Sequence, residues 1–335
     1  MHTILIDTAA VTGPGWDAAL QRGVLPRLSR ALRLADIVAE EAPRADAEAA
    51  WLSPGERWLG AELGLGGAER APWGALAALG DGVEVGEAAW AVALPVHLEL
   101  GRESLSLDDP QRLELAADEA AALLDAVRSL LADDGWRVEL PRPGCWLLAH
   151  PSLAEVDTAD PARAIGRNVA SWMPGGVAAR PWRRLLTEMQ MVWQHHDVNE
   201  ARIARGAADV NTLWLHGCGR LPSTLRGTFT IDARDAHTAW AQAAAAGLKA
   251  LPASAERAPL RVLQPAATRL AADFGDVLAE LDGRAAQAID EALGTDAVAR
   301  VVLAGERRWI AFELRRSRRW QFWRRADADA LLRQV

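Results

Sequence analysis

Residues 181–220, PWRRLLTEMQMVWQHHDVNEARIARGAADVNTLWLHGCGR, hold the densest run of chemically costly side chains in this sequence. Trp182, Trp193 and Trp214, the pair His195 and His196, Asn199, Arg202, Asn211 and the glycines 217 and 219 crowd into a chain otherwise dominated by Ala, Leu and Arg. The first half has helical spacing from about 180 to 204, and VNTLWLHG (210–217) is an apolar run bounded by glycine that reads as a strand. In an unbroken helix, His195, Asn199 and Arg202 stand at i, i+4 and i+7 and share a face able to bind an anion. His196, Asn199 and Arg202 form a similar stripe, and periodicity does not choose between the histidines. The structural alternative is that these groups cap the helix and tie it to the strand, with Asn211 holding a turn. Gly217 and Gly219 let the backbone approach a ligand closely, while Trp214 reads as core before it reads as a stacking platform. Cys218 with His216 or His237 carries no local signature of a thiol hydrolase.

Outward from this block, strand and helix patterns alternate. HTILID (2–7) reads as a first strand, and residues 18–39 as a helix interrupted at Pro26. SPGERWLGAELGL (53–65) is a capped helix with Ser53 as N-cap, Pro54 at the first position and Glu56 closing a capping box. Strands are expected at 89–101, 104–107, 136–140, 145–150 and 228–233, and helices at 115–131, 236–247 and 277–293. A hairpin built from RVVLAG, RWIAFEL and RWQFWRR precedes a short terminal helix, and residues 152–176 read as a linker. The alternation is that of an α/β protein.

Composition narrows the function. The 335 residues, half of them apolar, suit roughly two domains with a conventional core. Cys145 and Cys218 alone build neither a disulfide framework nor a cysteine-rich zinc site. The N-terminus has no basic flank and no run reaches the ~18 apolar residues of a spanning helix, so a cytoplasmic protein without membrane contact is expected. A net charge of -8 gives no general attraction to nucleic acid. Lys249 is the only lysine and no Gly-Lys-Ser/Thr loop exists, which excludes a Walker-type ATPase. In RRSRRWQFWRR (315–325) six arginines interleave with Trp320, Phe322 and Trp323. That run is either a nucleic-acid patch or a hairpin with arginines on a solvated edge, and the acidic chain favours the hairpin. The seven histidines form no H-E-x-x-H or Asp-His set, so no metal and no cofactor are expected.

The segment TEMQMVWQHHDVNEARIARGAADVNTLWLHGCG resembles a motif of helix, His-Pro-Val-Asn, Arg, Gly, then Asn-x-Leu-Trp-x-Trp-Gly-x-Gly. That motif belongs to the archaeal-type cofactor-independent phosphoglycerate mutases of the alkaline phosphatase superfamily. The chain is still more similar to RpfE-type bacterial regulatory proteins, and the likeness spans roughly residues 75–250. His196, Asn199, Arg202, Asn211, Trp214, Gly217 and Gly219 match by position, with Asp197 in place of Pro and His216 in place of the second Trp. The resemblance implies a degenerate alkaline-phosphatase-like α/β sheet with helices on both faces, from residues 1–75 and 205–335. It also implies an inserted α+β lid-like domain at 76–204, and ligand binding by the seven matching residues. Asp7 stands where a metal-binding Asp belongs, but Gly55 stands where the hydroxyl nucleophile belongs, and Ser53 is a cap. The late Asp-Glu-x-Gly-His and Asp-His segments have no counterpart after residue 250. Phosphoryl transfer in that family rests on two metals and an activated hydroxyl. The expectation is therefore a regulatory protein without catalytic residues that binds a phosphorylated metabolite or a protein partner. The alternatives are an active mutase or phosphatase with a rearranged site of Asp7, His196 and Arg202, and a nucleic-acid-binding regulator acting through 315–325.

Overall fold

HTILID does form a strand, β1 (His2–Asp7), and its alternating side chains serve two cores at once. Ile4 and Ile6 enter one hydrophobic cluster and Leu5 the other. The computed structural model describes residues 1–44, 50–66, 69–101, 104–226, 229–251, 257–320 and 324–335. The remaining strands are β2 (Ala35–Glu40), β3 (Ala89–Val96), β4 (Leu98–Leu100), β5 (Leu105–Leu107), β6 (Arg137–Arg142), β7 (Cys145–Ala149), β8 (Thr212–Arg220), β9 (Phe229–Asp235), β10 (Ala258–Leu263), β11 (Val298–Ala304) and β12 (Trp309–Arg315). The helices are α1 (Pro14–Leu20), α2 (Pro26–Leu32), α3 (Pro54–Leu63), α4 (Trp73–Gly80), α5 (Ala117–Asp133), α6 (Pro161–Ala164), α7 (Arg180–Trp193), α8 (Asp197–Ala204), α9 (Ala239–Ala250), α10 (Gly275–Thr295) and α11 (Ala328–Gln334).

A six-stranded sheet runs in the order β2-β12-β11-β1-β10-β9, with β9, β10, β1 and β11 parallel and β12 antiparallel to its neighbours. Helices α1, α2, α10 and α11 cover one face through Trp16, Leu28, Leu281, Ile289 and Leu332. On the other face lie α3, α4 and α9, with Trp58, Trp73 and Trp240. The same helical layer receives an antiparallel four-stranded sheet, β6-β7-β3-β8, through Trp90, Val92 and Leu147. The far face of that second sheet, with Trp146, Leu148 and Leu215, packs on α5 and α7. The protein is thus α/β, a helix-flanked sheet sharing one layer of helices with a second sheet.

Helix α4 meets β3 and α9 at distances only glycine permits. A Cβ on Gly74 would lie 2.4 Å from Ala91 Cα of β3, and one on Gly80 would lie 2.6 Å from Ala246 Cβ of α9. From the opposite side, a Cβ on Gly247 would lie 2.5 Å from the Leu76 carbonyl oxygen.

Two expectations are corrected. Residues 18–39 are not one interrupted helix, because ADIVAE (35–40) finds β12 as a partner and becomes β2. The helix expected over 180–204 breaks after Trp193, where the carbonyl of that residue is taken by His196 N–H at 3.2 Å and by Asn199 Nδ2 at 2.9 Å. The strand expected at RWQFWRR (319–325) falls largely outside the described residues, and the stretch leading into it, Arg316–Trp320, turns as a short 3-10 helix. Phe322 and Trp323 and the side chains of Arg319 and Trp320 lie outside the described residues. The expected boundary at 204 falls between α8 and β8, yet the four-stranded sheet continues to Arg220 because β8 pairs with β3. Among the described residues no helix is long and apolar enough to cross a membrane.

Candidate functional site

Parallel strands leave a crevice at their carboxyl ends, where backbone groups are unpaired and loops diverge. Asp7 ends β1 at that edge, and Gln264 follows β10 beside it. The Asp7 carboxylate accepts from Ala9 N–H at 3.3 Å and from Gln264 Nε2 at 2.9 Å. Gln264 Oε1 accepts from the His237 and Thr238 N–H groups at 2.7 and 3.0 Å, which fixes the amide orientation and aims its NH2 at Asp7.

Helix α3 brings a second carboxylate to the same place. Ser53 caps it as the SPGE pattern predicts: Ser53 Oγ accepts from Glu56 N–H at 3.2 Å, and Glu56 Oε2 accepts from Ser53 N–H at 2.8 Å. The other Glu56 oxygen accepts from Trp73 Nε1 at 3.1 Å, so Glu56 is buried and fully engaged. Asp160, the N-cap of α6, adds a third, accepting from Ala162 N–H at 3.0 Å and Trp240 N–H at 3.1 Å. The buried Arg163 guanidinium lies over the Trp172 ring at 4.8 Å and donates to Trp51 O at 3.3 Å. Burial, opposed by hydrogen bonds from Ala9 and Gln264, pushes the Asp7 carboxyl up to about 6. Burial and then the neighbouring Asp160 push Glu56 up to about 8, and burial lowers Arg163 to about 10.

A cavity of about 590 Å³ opens onto this cluster, lined by Asp7, Asp160, Thr238, Gln264, His237 and the apolar Leu94 and Ile165 among others. Its described lining includes Asp7, Asp109 and Asp160 and no arginine or lysine. Among the described residues no three His, Cys, Asp or Glu side chains are grouped as ligands for a metal ion, and the Gln264 amide donor faces Asp7.

These raised carboxyls set a pH dependence. The folded chain holds more protons than the unfolded chain between the ordinary values of 3.8 and 4.5 and the raised ones of about 6 and about 8. Their stabilisation is therefore complete below the ordinary values and is lost as pH rises through about 6 and then about 8. Thermal melts across this range are expected to show stability falling towards alkaline pH, with the upper part of the fall flattened in Glu56→Gln. A melting temperature equally pH-dependent in that variant contradicts the assignment.

The seven residues singled out from the 181–220 block lie elsewhere and meet protein partners. His196 is the N-cap of α8, its Nδ1 accepting from Val198 N–H at 3.2 Å, while His195 is exposed. Asn199 is buried, donating to Trp193 O and Val210 O and accepting from Val210 N–H, each at 2.9 Å. Arg202, also buried, donates to Ala208 O at 2.7 Å, to Glu119 and to Leu113 O. Asn211 pairs with both backbone groups of Leu98, and Trp214 Nε1 donates to Ala159 O at 2.9 Å. Gly217, at φ +66°, faces Trp73 and Gly74 of α4, and Gly219 faces Pro72. The close approach expected of these glycines is made to a helix. Asn199 and Arg202 both bond to the 208–210 segment that leads into β8, but neither they nor His196 line the Asp7 cavity. Cys218 is buried, and burial pushes its thiol up to about 12, which removes the thiolate a Cys-His nucleophile would need. Arg316, Arg318 and Arg324 of the basic run are engaged within the fold, by the Gly294 carbonyl, Asp36 and Ala35 respectively.

Asp7, Ser53 and Gly55 are legible in the sequence, whereas Asp160 and Arg163 lie in the 152–176 stretch whose composition resembles a linker. The Asp-Pro pair at 160–161, a cap before a helix-opening proline, was the available signal. Gln264 had a weaker one, a polar residue ending an apolar run before Pro265.

No family profile matches this chain, and no curated protein matches it. A solved structure of the cofactor-independent phosphoglycerate mutase from Thermoplasma acidophilum DSM 1728 aligns with 98% of this chain and 93% of its own, at 18% identity and a TM-score of 0.43. The PH0037 protein from Pyrococcus horikoshii aligns with 98% of this chain and 92% of its own, at 13% identity and a TM-score of 0.51. What this chain has in common with the Pyrococcus protein, over nearly the whole of both, is the fold.

Proposed function

We propose that this chain is a non-catalytic, phosphoglycerate-mutase-like regulatory protein that binds a phosphorylated metabolite without transforming it. The observation that carries the reading is Gly55. It lies against the Asp7 carboxyl, where an added Cβ would come within 3.0 Å of Asp7 Cγ. The position that the family resemblance assigns to a nucleophile thus faces the first-strand carboxylate but carries no hydroxyl. The nearest candidate, Ser53, has its oxygen committed to capping α3. Asp7 itself is buried, which pushes its carboxyl up to about 6, and the Gln264 amide N–H occupies one of its oxygens. Without nucleophile or metal set, the charge neutralisation that phosphoryl transfer requires has no source at this cavity.

The purified protein, supplied with Mn²⁺, Mg²⁺ or Zn²⁺, is expected to show no phosphoglycerate interconversion and no phosphomonoester hydrolysis above background. It is also expected to melt higher in the presence of a phosphorylated metabolite, because a ligand that binds only the folded chain must stabilise it. Turnover that disappears in Asp7→Asn contradicts the reading.

A further inference from the structure

The Asp7 cavity, lined by carboxylates, is a poor receptacle for a phosphoryl group. A second cavity, of about 830 Å³, has the opposite character. Arg167, Arg269, Arg307 and Arg333 line it against only two acidic side chains, Asp17 and Glu306. Glu306 follows β11 and draws two of the arginines together from separate parts of the chain: it pairs with Arg167 and lies 3.7 Å from Arg269. Thr12 Oγ1 donates to the same carboxylate at 3.1 Å, and Arg167 is further placed by the Trp172 ring, 5.7 Å from its guanidinium carbon. Arg307 and Arg333 are exposed at the same cavity and make no ion pair with the described residues. Two guanidiniums held side by side at the floor, with two more at the rim, form a set suited to an anion with several acceptor oxygens.

The two cavities are neighbours. Three segments contribute adjacent or near-adjacent residues to both: Ala10 and Thr12, Ile165 and Arg167, Thr268 and Arg269. We propose that the arginine-lined cavity is the oxyanion subsite of this protein, taking the phosphoryl group of a phosphomonoester. This rests on the proposed binding of a phosphorylated metabolite and adds the place of its charged head.

The test is calorimetric titration of the whole chain with inorganic phosphate at fixed ionic strength, then with a phosphomonoester and its dephosphorylated parent. The double variant Arg307→Ala/Arg333→Ala, altered only at exposed positions, is expected to fold normally and to bind phosphate about tenfold or more weakly. Glu306→Gln, which removes the resident carboxylate, is expected to tighten phosphate binding, and the dephosphorylated parent to lose most of its affinity. Phosphate affinity unchanged in the double variant but lost in His237→Ala overturns the subsite while leaving phosphorylated-ligand binding intact. Absence of binding by phosphate and phosphomonoester alike overturns both.

Discussion

Replacing Gly74 with alanine is expected to cost this protein about 3 kcal/mol of stability or more, as overpacking without relief does. The new methyl would be centred 2.4 Å from Ala91 Cα, and its next contacts are also backbone atoms of β3. No flexible side chain is there to move aside, and β3 is the inner strand held by β7 and β8 on either side. The gain in helix propensity, about 1 kcal/mol for an exposed site, does not offset this. Urea unfolding of Gly74→Ala beside Gly82→Ala, whose added methyl meets nothing within 4 Å but whose φ of +78° disfavours it, separates packing from backbone strain. A stability for Gly74→Ala within 1 kcal/mol of the parent rejects the close contact.

Arg202→Ala is expected to be comparably damaging, about 3–5 kcal/mol, the range for breaking a buried, hydrogen-bonded ion pair from one side. The guanidinium satisfies the Ala208 and Leu113 carbonyls and one oxygen of Glu119. Burial works against the Glu119 anion, but bonds from Arg205, the Ala116 N–H and Arg202 together hold its carboxyl below the ordinary value. Arg205 and the Ala116 N–H survive the substitution, so Glu119 keeps two partners and the stranded carbonyls account for most of the loss. The readout is chemical unfolding together with phosphate titration. A variant that is stable but no longer binds phosphate returns Arg202 to the ligand site that its sequence context suggested.

Local signals in this sequence suffice where the structure they specify is local. SPGE predicts a capping box and forms one, because donor and acceptor lie three residues apart. HTILID predicts a strand and forms it, since both of its faces are buried. Helix α4 carries no such signal: PWGALAALG is apolar throughout, and a helix buried against β3, β8 and α9 shows no stripe to detect. APLRVL (258–263) is equally silent until β1 and β9 flank it. The break before His196 depends on Asn199 reaching back to the Trp193 carbonyl, a competition that spacing alone does not reveal. Most of the candidate site is non-local. Gln264 meets Asp7 across 257 residues and Asp160 meets Trp240 across 80, so neither pairing leaves a motif.

The glycine contacts of α4 have a mechanical consequence. Side chains ordinarily cushion one element against the next by changing rotamer, but at Gly74, Gly80 and Gly247 main chain meets its neighbour with almost nothing between. Close-packed interiors are nearly incompressible and transmit strain. Thr238 and Ala239, at the start of α9, line the Asp7 cavity. A ligand that displaces them by a fraction of an ångström pushes α9 on α4, and α4 on β3 and β8, with little slack along the way.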